Sequence, residues 1–163
     1  MDDLKRAWLA HFGAPLYGES LVRGRRAPDL ERLVVGSLAL ARRDPTVARA
    51  LPVLLWRQRA QLDLPKLRKL AQQRGRARAL GFFLDLSGQL SGSRTLKRAS
   101  KAPKRAPATR NFFAGTHTRL AKYVAEQNTP AVARAWGYRM NMGLDAFAGT
   151  FTKASRREAL LAG

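Results

Sequence analysis

Three features of this 163-residue chain predict an all-α fold. Apolar residues recur every three or four positions, capping residues and prolines precede several of those stretches, and no stretch alternates with period two between hairpin turns. The reading is a single domain of about six to eight short helices with an internal basic loop. Residues 1–92 form a helical array, 93–111 a basic Pro/Ala-rich loop, and 112–163 C-terminal helices that pack back onto the same domain.

Each element has its own local reason. Leu4, Trp8 and Phe12 recur at helical spacing, which predicts an amphipathic helix over 3–12, and "GAPLYGES" breaks it. Leu30, Leu33, Val34, Leu38 and Ala41 lie on one side of a second helix, from Pro28 to Arg43. The third opens at "DPT": Asp44 accepts from orphan N–H groups and Pro45 suits the first helical position. Pro52 is expected to kink or restart it, since proline removes a hydrogen bond and restricts Leu51. Asp63 caps a helix over Leu64–Arg74, with Gly75 as its stop. Residues 76–90 are apolar nearly all round after Arg78, as in a helix placed between others.

Beyond the basic segment, "NFFAGT" supplies aromatics to dock the chain back on the core. Leu120, Tyr123, Val124 and Gln127 mark a further helix. Thr129-Pro130 looks like a second cap-then-proline start, and "PAVARAW" echoes "PTVARAL" of 45–51 at five of seven positions. Val132, Trp136, Met140, Leu144, Phe147 and Phe151 extend an apolar stripe. Gly137, Gly143 and Gly149 interrupt it, so a bend or split is expected near one of them. "SRREALLAG" reads as a frayed helical tail.

Charge points to the partner. Lys and Arg number 31 against 11 Asp and Glu, a formal charge of +20. Such a balance opposes compaction and attracts polyanions, nucleic acid or an acidic protein face. It is unevenly spread: residues 91–110 hold seven basic side chains and no acid. The chain has no cysteine, which excludes disulfides, thiolate metal sites and cysteine nucleophiles. "MDDLKRAWLA" is charged where a secretory signal is apolar, and "LPVLLW" is far shorter than a membrane span, so the expectation is a cytoplasmic protein without membrane contact.

Catalytic chemistry has little to stand on. His11 and His117 are the two groups suited to an acid–base pair for RNA cleavage. Nothing in the sequence brings them together, and a ribonuclease is the lesser alternative. There is no HxxxH, no HExxH, no calcium-type loop and no P-loop ending, and "RGRR" and "RGRAR" are not read as phosphate loops. No cofactor or metal is expected. The scattered acids suit helix caps and first turns.

Binding chemistry is better represented, because phosphate neutralisation by Lys and Arg supplies most non-specific nucleic-acid affinity. One candidate group is the basic segment: Arg94, Lys97, Arg98, Lys101, Lys104, Arg105 and Arg110. A second lies on helices: Arg57, Arg59, Lys66, Lys69, Arg74, Arg76 and Arg78. Lys66, Lys69, Gln73 and Arg76 share a face if their helix runs past Gly75. Sequence-specific reading by a helix-turn-helix has weaker support, since "QQRGRARA" has suitable side chains but leads directly into an apolar helix; RRM and zinc-finger signatures are missing.

The run "RARALGFFLDLSGQLSG", through Leu80, Gly81, Phe82, Leu84 and Asp85, resembles a C-terminal segment of antitoxins of abortive-infection AbiE-type systems. With "LARRD" and "DLPKLRKLAQQRG" the resemblance covers about residues 44–92. It implies a nucleotidyltransferase-like toxin as partner, whereas the family's separate N-terminal winged-helix module is not seen. The expectation is therefore a non-catalytic, strongly basic helical protein that binds nucleic acid or an acidic partner, antitoxin-like in a bacterial defence system. The alternative is an obligate subunit of a larger ribonucleoprotein or defence complex.

Overall fold

The computed structural model describes residues 1–114 and 118–163. Nine α-helices and one 3₁₀ turn are present among them: α1 Asp2–His11, the turn Glu19–Val22, α2 Leu30–Ala41, α3 Pro45–Arg57, α4 Leu64–Gln73, α5 Ala77–Ser91, α6 Arg94–Ser100, α7 Arg119–Asn128, α8 Ala131–Ala135 and α9 Leu144–Ala162. Two-residue strands β1, Arg110–Asn111, and β2, Tyr138–Arg139, pair in parallel, with Arg110 opposite Tyr138. Among the described residues no helix is long and apolar enough to cross a membrane.

Side-chain caps start several helices where the sequence indicates. Asp44 accepts from the Thr46 and Val47 amides, and Asp63 from the Lys66 amide. Asp29 caps α2 through the Arg32 amide. Pro52 sits inside α3 without ending it. Leu51, Val53, Leu54 and Leu55 around it are buried, and this packing carries the helix through a residue whose local preference is to break it. Gly75, at φ +65°, takes the left-handed conformation that closes α4.

The core is built around α5. Every residue from Ala79 to Gly88 is buried, and the helix packs against α2, α3, α4, α6 and α8. Two of its glycines, seven residues apart on one face, set how closely neighbours approach. A methyl group at Gly81 would overlap the Trp136 indole. One at Gly88 would come within 2.8 Å of the Lys97 backbone nitrogen on α6. The indole N–H of Trp136 donates to the buried Asp85 carboxylate at 2.9 Å, satisfying a charge that would otherwise be costly inside. Phe82, Phe83, Phe112, Phe113, Tyr138 and Phe147 stack edge-on or tilted around the same helix. Phe112 and Phe113 thus dock the chain beyond the basic segment, as expected.

Several expectations change. The basic segment is not a loop from residue 93: Ser93 caps α6, and Leu96, Ala99 and Ser100 face the interior. Its other end is also tied, with the Arg78 guanidinium donating to the Ala108 carbonyl and the Arg110 amide to the Gly137 carbonyl, each at 2.9 Å. The stripe beyond Thr129 splits twice. Gly137, at φ +71°, ends α8 and Gly143 begins α9, whereas Gly149 lies within α9 without interrupting it. Thr129 is not a cap for α8; its hydroxyl closes α7 by donating to the Ala125 carbonyl, and it accepts from the Met140 amide. Pro130 is itself the N-cap of a five-residue helix, whereas Pro45 opens a thirteen-residue one, so the sequence echo does not begin equivalent units. Leu120, Tyr123 and Val124 do sit on a helix, but they are exposed and Ala125 is its buried residue. The C-terminal tail continues α9 to Ala162.

The two kinds of glycine predict opposite outcomes in urea unfolding. Gly81→Ala should lower stability by about 1–3 kcal/mol through overpacking. Gly149→Ala, where an added methyl meets nothing within 4 Å, should raise it by about 0.4–1 kcal/mol.

Candidate nucleic-acid interface

Three separate stretches of the chain deliver arginines to one place. Arg42 follows the end of α2, Arg74 and Arg76 flank Gly75 between α4 and α5, Arg78 lies in the first turn of α5, and Arg110 begins β1. Together with Leu38, Ala39, Gly75, Ala79 and Tyr138 they line a cleft of about 210 Å³. No carboxylate is among its lining residues. A neighbouring groove of about 290 Å³ shares Arg74 and Arg76 and adds Arg32 and Gln73.

Three of the five guanidiniums are held by backbone carbonyls. Arg42 donates through Nε to the Phe112 carbonyl and through Nη2 to that of Asn111, each at 2.8 Å. Arg76 donates to the Val35 carbonyl at 2.8 Å, and Arg78 to that of Ala108. A guanidinium has five N–H donors, so each anchored arginine keeps several for a ligand. Arg74 and Arg110 are exposed, and neither makes an ion pair or side-chain hydrogen bond among the described residues. Tyr138 closes one side, only 4% exposed, with the Arg78 guanidinium 5.8 Å from its ring centre. Burial pushes its hydroxyl above the ordinary tyrosine pKa, although the charges of Arg42, Arg78 and Arg110 pull the other way. It is therefore a neutral hydrogen-bond donor throughout the physiological range.

The local chain explains why the arginines converge. Gly75 reverses direction in one residue, so that α5 begins two positions later, and the Arg76 amide bonds back to the Ala71 carbonyl at 2.7 Å. No side chain caps α5, and Arg76, Arg78 and Ala79 at its start line the cleft, so the positive end of the helix dipole lies beside it. "RGRAR" is no P-loop, yet it forms one wall of an anion-binding concavity.

The remaining expected contacts divide sharply. Arg94, Lys97 and Arg98 are exposed on α6, Lys101 ends that helix with φ +50°, and Lys104 and Arg105 are exposed beyond it. Lys69 is exposed on α4. Three others are engaged within the fold. Arg57 donates to the Gly13 carbonyl at 2.6 Å and the Ala154 carbonyl at 3.2 Å, and pairs with Glu158. Lys66 pairs with Asp29 and Glu31, which hold its ammonium above the usual lysine pKa. Arg59 bonds the Trp56 carbonyl and lies 5.4 Å from that indole's centre. The supposed face of Lys66, Lys69, Gln73 and Arg76 does not form, because α4 stops at Gln73 and Arg76 belongs to the start of α5.

Arg42 and Arg32 were not singled out by sequence. Arg42 sits in "LARRD" beside Arg43, which pairs with Asp2 instead, and nothing local distinguishes the two. Tyr138 reaches the cleft only through the strand pairing. His11 contacts Trp8 and Phe12 by ring edges, and His117 lies outside the described residues. The residues that carry the antitoxin resemblance are interior ones: Leu80, Phe82, Leu84 and Asp85 are buried, and Gly81 lies beneath Trp136. The chain matches no family model, no curated protein and no solved structure.

Engaged and unengaged arginines should separate in stability measurements. Arg57→Gln removes hydrogen bonds of a charged donor and should cost about 1–3 kcal/mol in urea unfolding. Arg74→Gln and Arg110→Gln should each stay within about 0.5 kcal/mol of the parent protein.

Proposed function

We propose that this protein is a non-catalytic nucleic-acid binder that grips phosphates through the arginine cleft and the exposed cations of residues 94–105. The observation that carries the reading is the convergence of Arg42, Arg74, Arg76, Arg78 and Arg110 on one cleft with no carboxylate in its lining. Like charges brought together repel, and the arrangement becomes favourable when a polyanion neutralises them. Arginine suits that task because its planar fork matches phosphate geometry and its weak hydration lowers the cost of contact.

The cleft supplies positioned donors, while Lys101, Lys104 and Arg105 add an exposed cationic stretch whose ends are held by α6 and by the contacts at Ala108 and Arg110. Contacts to phosphate position a strand without reading its sequence. The antitoxin-like reading draws on residues inside the core, to which a partner has no access, so it adds nothing to the surface argument. An acidic protein is the competing partner, and it lacks the regular phosphate spacing that scattered guanidiniums can follow.

Binding to a single-stranded oligonucleotide, followed by anisotropy across a salt series, tests the proposal. Affinity should fall steeply with salt, and Gln replacement at Arg74 and Arg110 should reduce the slope of log K against log salt by about 0.7–0.9 per charge. Affinity that does not change with salt would rule out the phosphate mechanism. Co-purification of a protein that survives nuclease treatment, with no bound nucleic acid, would transfer the role to an acidic partner.

A further inference from the structure

We propose, resting on the nucleic-acid reading above, that the arginine cleft is an end-binding site which takes the terminal phosphate of a strand. Size is the first argument. At about 210 Å³ the cleft is smaller than the roughly 300–1,000 Å³ typical of sites that enclose a whole small-molecule ligand. It has room for a phosphate group, and the sugar and base remain outside.

Charge is the second argument. Five arginines line that small volume, from the end of α2 (Arg42), the α4–α5 turn (Arg74, Arg76), α5 (Arg78) and β1 (Arg110), with no acid among the lining residues. An internal phosphodiester brings one negative charge and must leave the site at both ends. A terminal phosphomonoester brings nearly two charges at neutral pH, a third outer oxygen, and only one exit.

The third argument is an available donor. Tyr138 is 4% exposed as a residue and lines the cleft, and its hydroxyl, which stays open to solvent there, has no hydrogen-bond partner among the described residues. An extra phosphate oxygen gives that hydroxyl an acceptor in place of water. Arg42, Arg76 and Arg78 are already anchored on carbonyls, so little ordering remains when the anion arrives. The adjoining groove through Arg74, Arg76 and Arg32 provides cations for the next phosphate of the strand, which favours a strand end over a free mononucleotide.

The test compares one oligonucleotide sequence carrying a 5′-phosphate, a 3′-phosphate or hydroxyls at both ends, with the fluorophore internal, by anisotropy on the full chain. One phosphorylated form should bind at least tenfold more tightly than the hydroxyl-ended strand at pH 7.5. The preference should shrink towards pH 5, since the second proton of a phosphomonoester is held below about pH 6 while arginine does not titrate there. It should vanish in the Arg74→Gln/Arg110→Gln double variant and fall several-fold in Tyr138→Phe, each checked for an unchanged unfolding midpoint. Equal binding of all three strands with steep salt dependence would overturn the end-binding site and leave the nucleic-acid proposal standing. No binding of any strand would overturn both. A preference that survives the double variant would remove the cleft from the explanation, and adenosine monophosphate binding as tightly as the strand would overturn its assignment to strand ends.

Discussion

Trp136 rests on the bare backbone of Gly81 and donates its indole N–H to Asp85 one helical turn further along α5. That contact joins the two halves of the chain. A side chain at residue 81 would hold the indole away, and without the indole the Asp85 carboxylate would be buried with no donor from Trp136. With Trp136 seated, α8 lies against α5 and Gly137 turns immediately afterwards. Tyr138 and Arg139 then run beside Arg110 and Asn111. Gly137 itself is crowded by the Pro107 carbonyl at 2.6 Å from where a Cβ would sit, so the end of the basic segment is drawn to the same corner.

Arginine serves this protein in two ways, and the distinction organises its electrostatics. Arg42, Arg57, Arg68, Arg76, Arg78 and Arg134 direct N–H groups to backbone carbonyls, most of them at helix ends and in loops. Apart from the Arg76 bond, which goes to the mid-helix Val35 carbonyl, such bonds do for helix ends and loops what capping residues do for helix starts. Others, Arg74 and Arg110 among them, extend towards solvent. At the cleft both uses coincide: anchoring three guanidiniums for structural reasons also fixes them around one concavity. The local concentration of positive charge is therefore a consequence of how loops 74–76 and 107–112 are tied to the core.

The secondary structure was largely legible because its signals are local. Asp44 and Asp63 cap where their positions suggest, Gly75 stops α4, and the all-round apolarity of α5 does mean burial on every side. What was missed depended on distant partners. Helix α6 has only Leu96, Ala99 and Ser100 to bury, too little to stand alone in water, and it forms against the face that Gly88 opens. Pro52 reads as a break because its local cost is visible, while the core that absorbs it is not. Two-residue strands leave no periodicity to detect.

By itself the sequence determined the helical class, most helix boundaries and the excess of positive charge, since these follow from residue spacing, capping chemistry and composition. It also placed Arg74, Arg76, Arg78 and Arg110 among the candidate contacts. Only the tertiary structure decided which cations are available, tying Arg57 and Lys66 within the fold and gathering Arg42, Arg110 and Tyr138 beside the start of α5. The reason is physical: a side chain's charge is a property of its residue. Its partners depend on which carbonyls and carboxylates the folded chain brings within hydrogen-bonding distance of it, and for Arg78 and Arg57 these include groups 30 and 101 residues away in sequence.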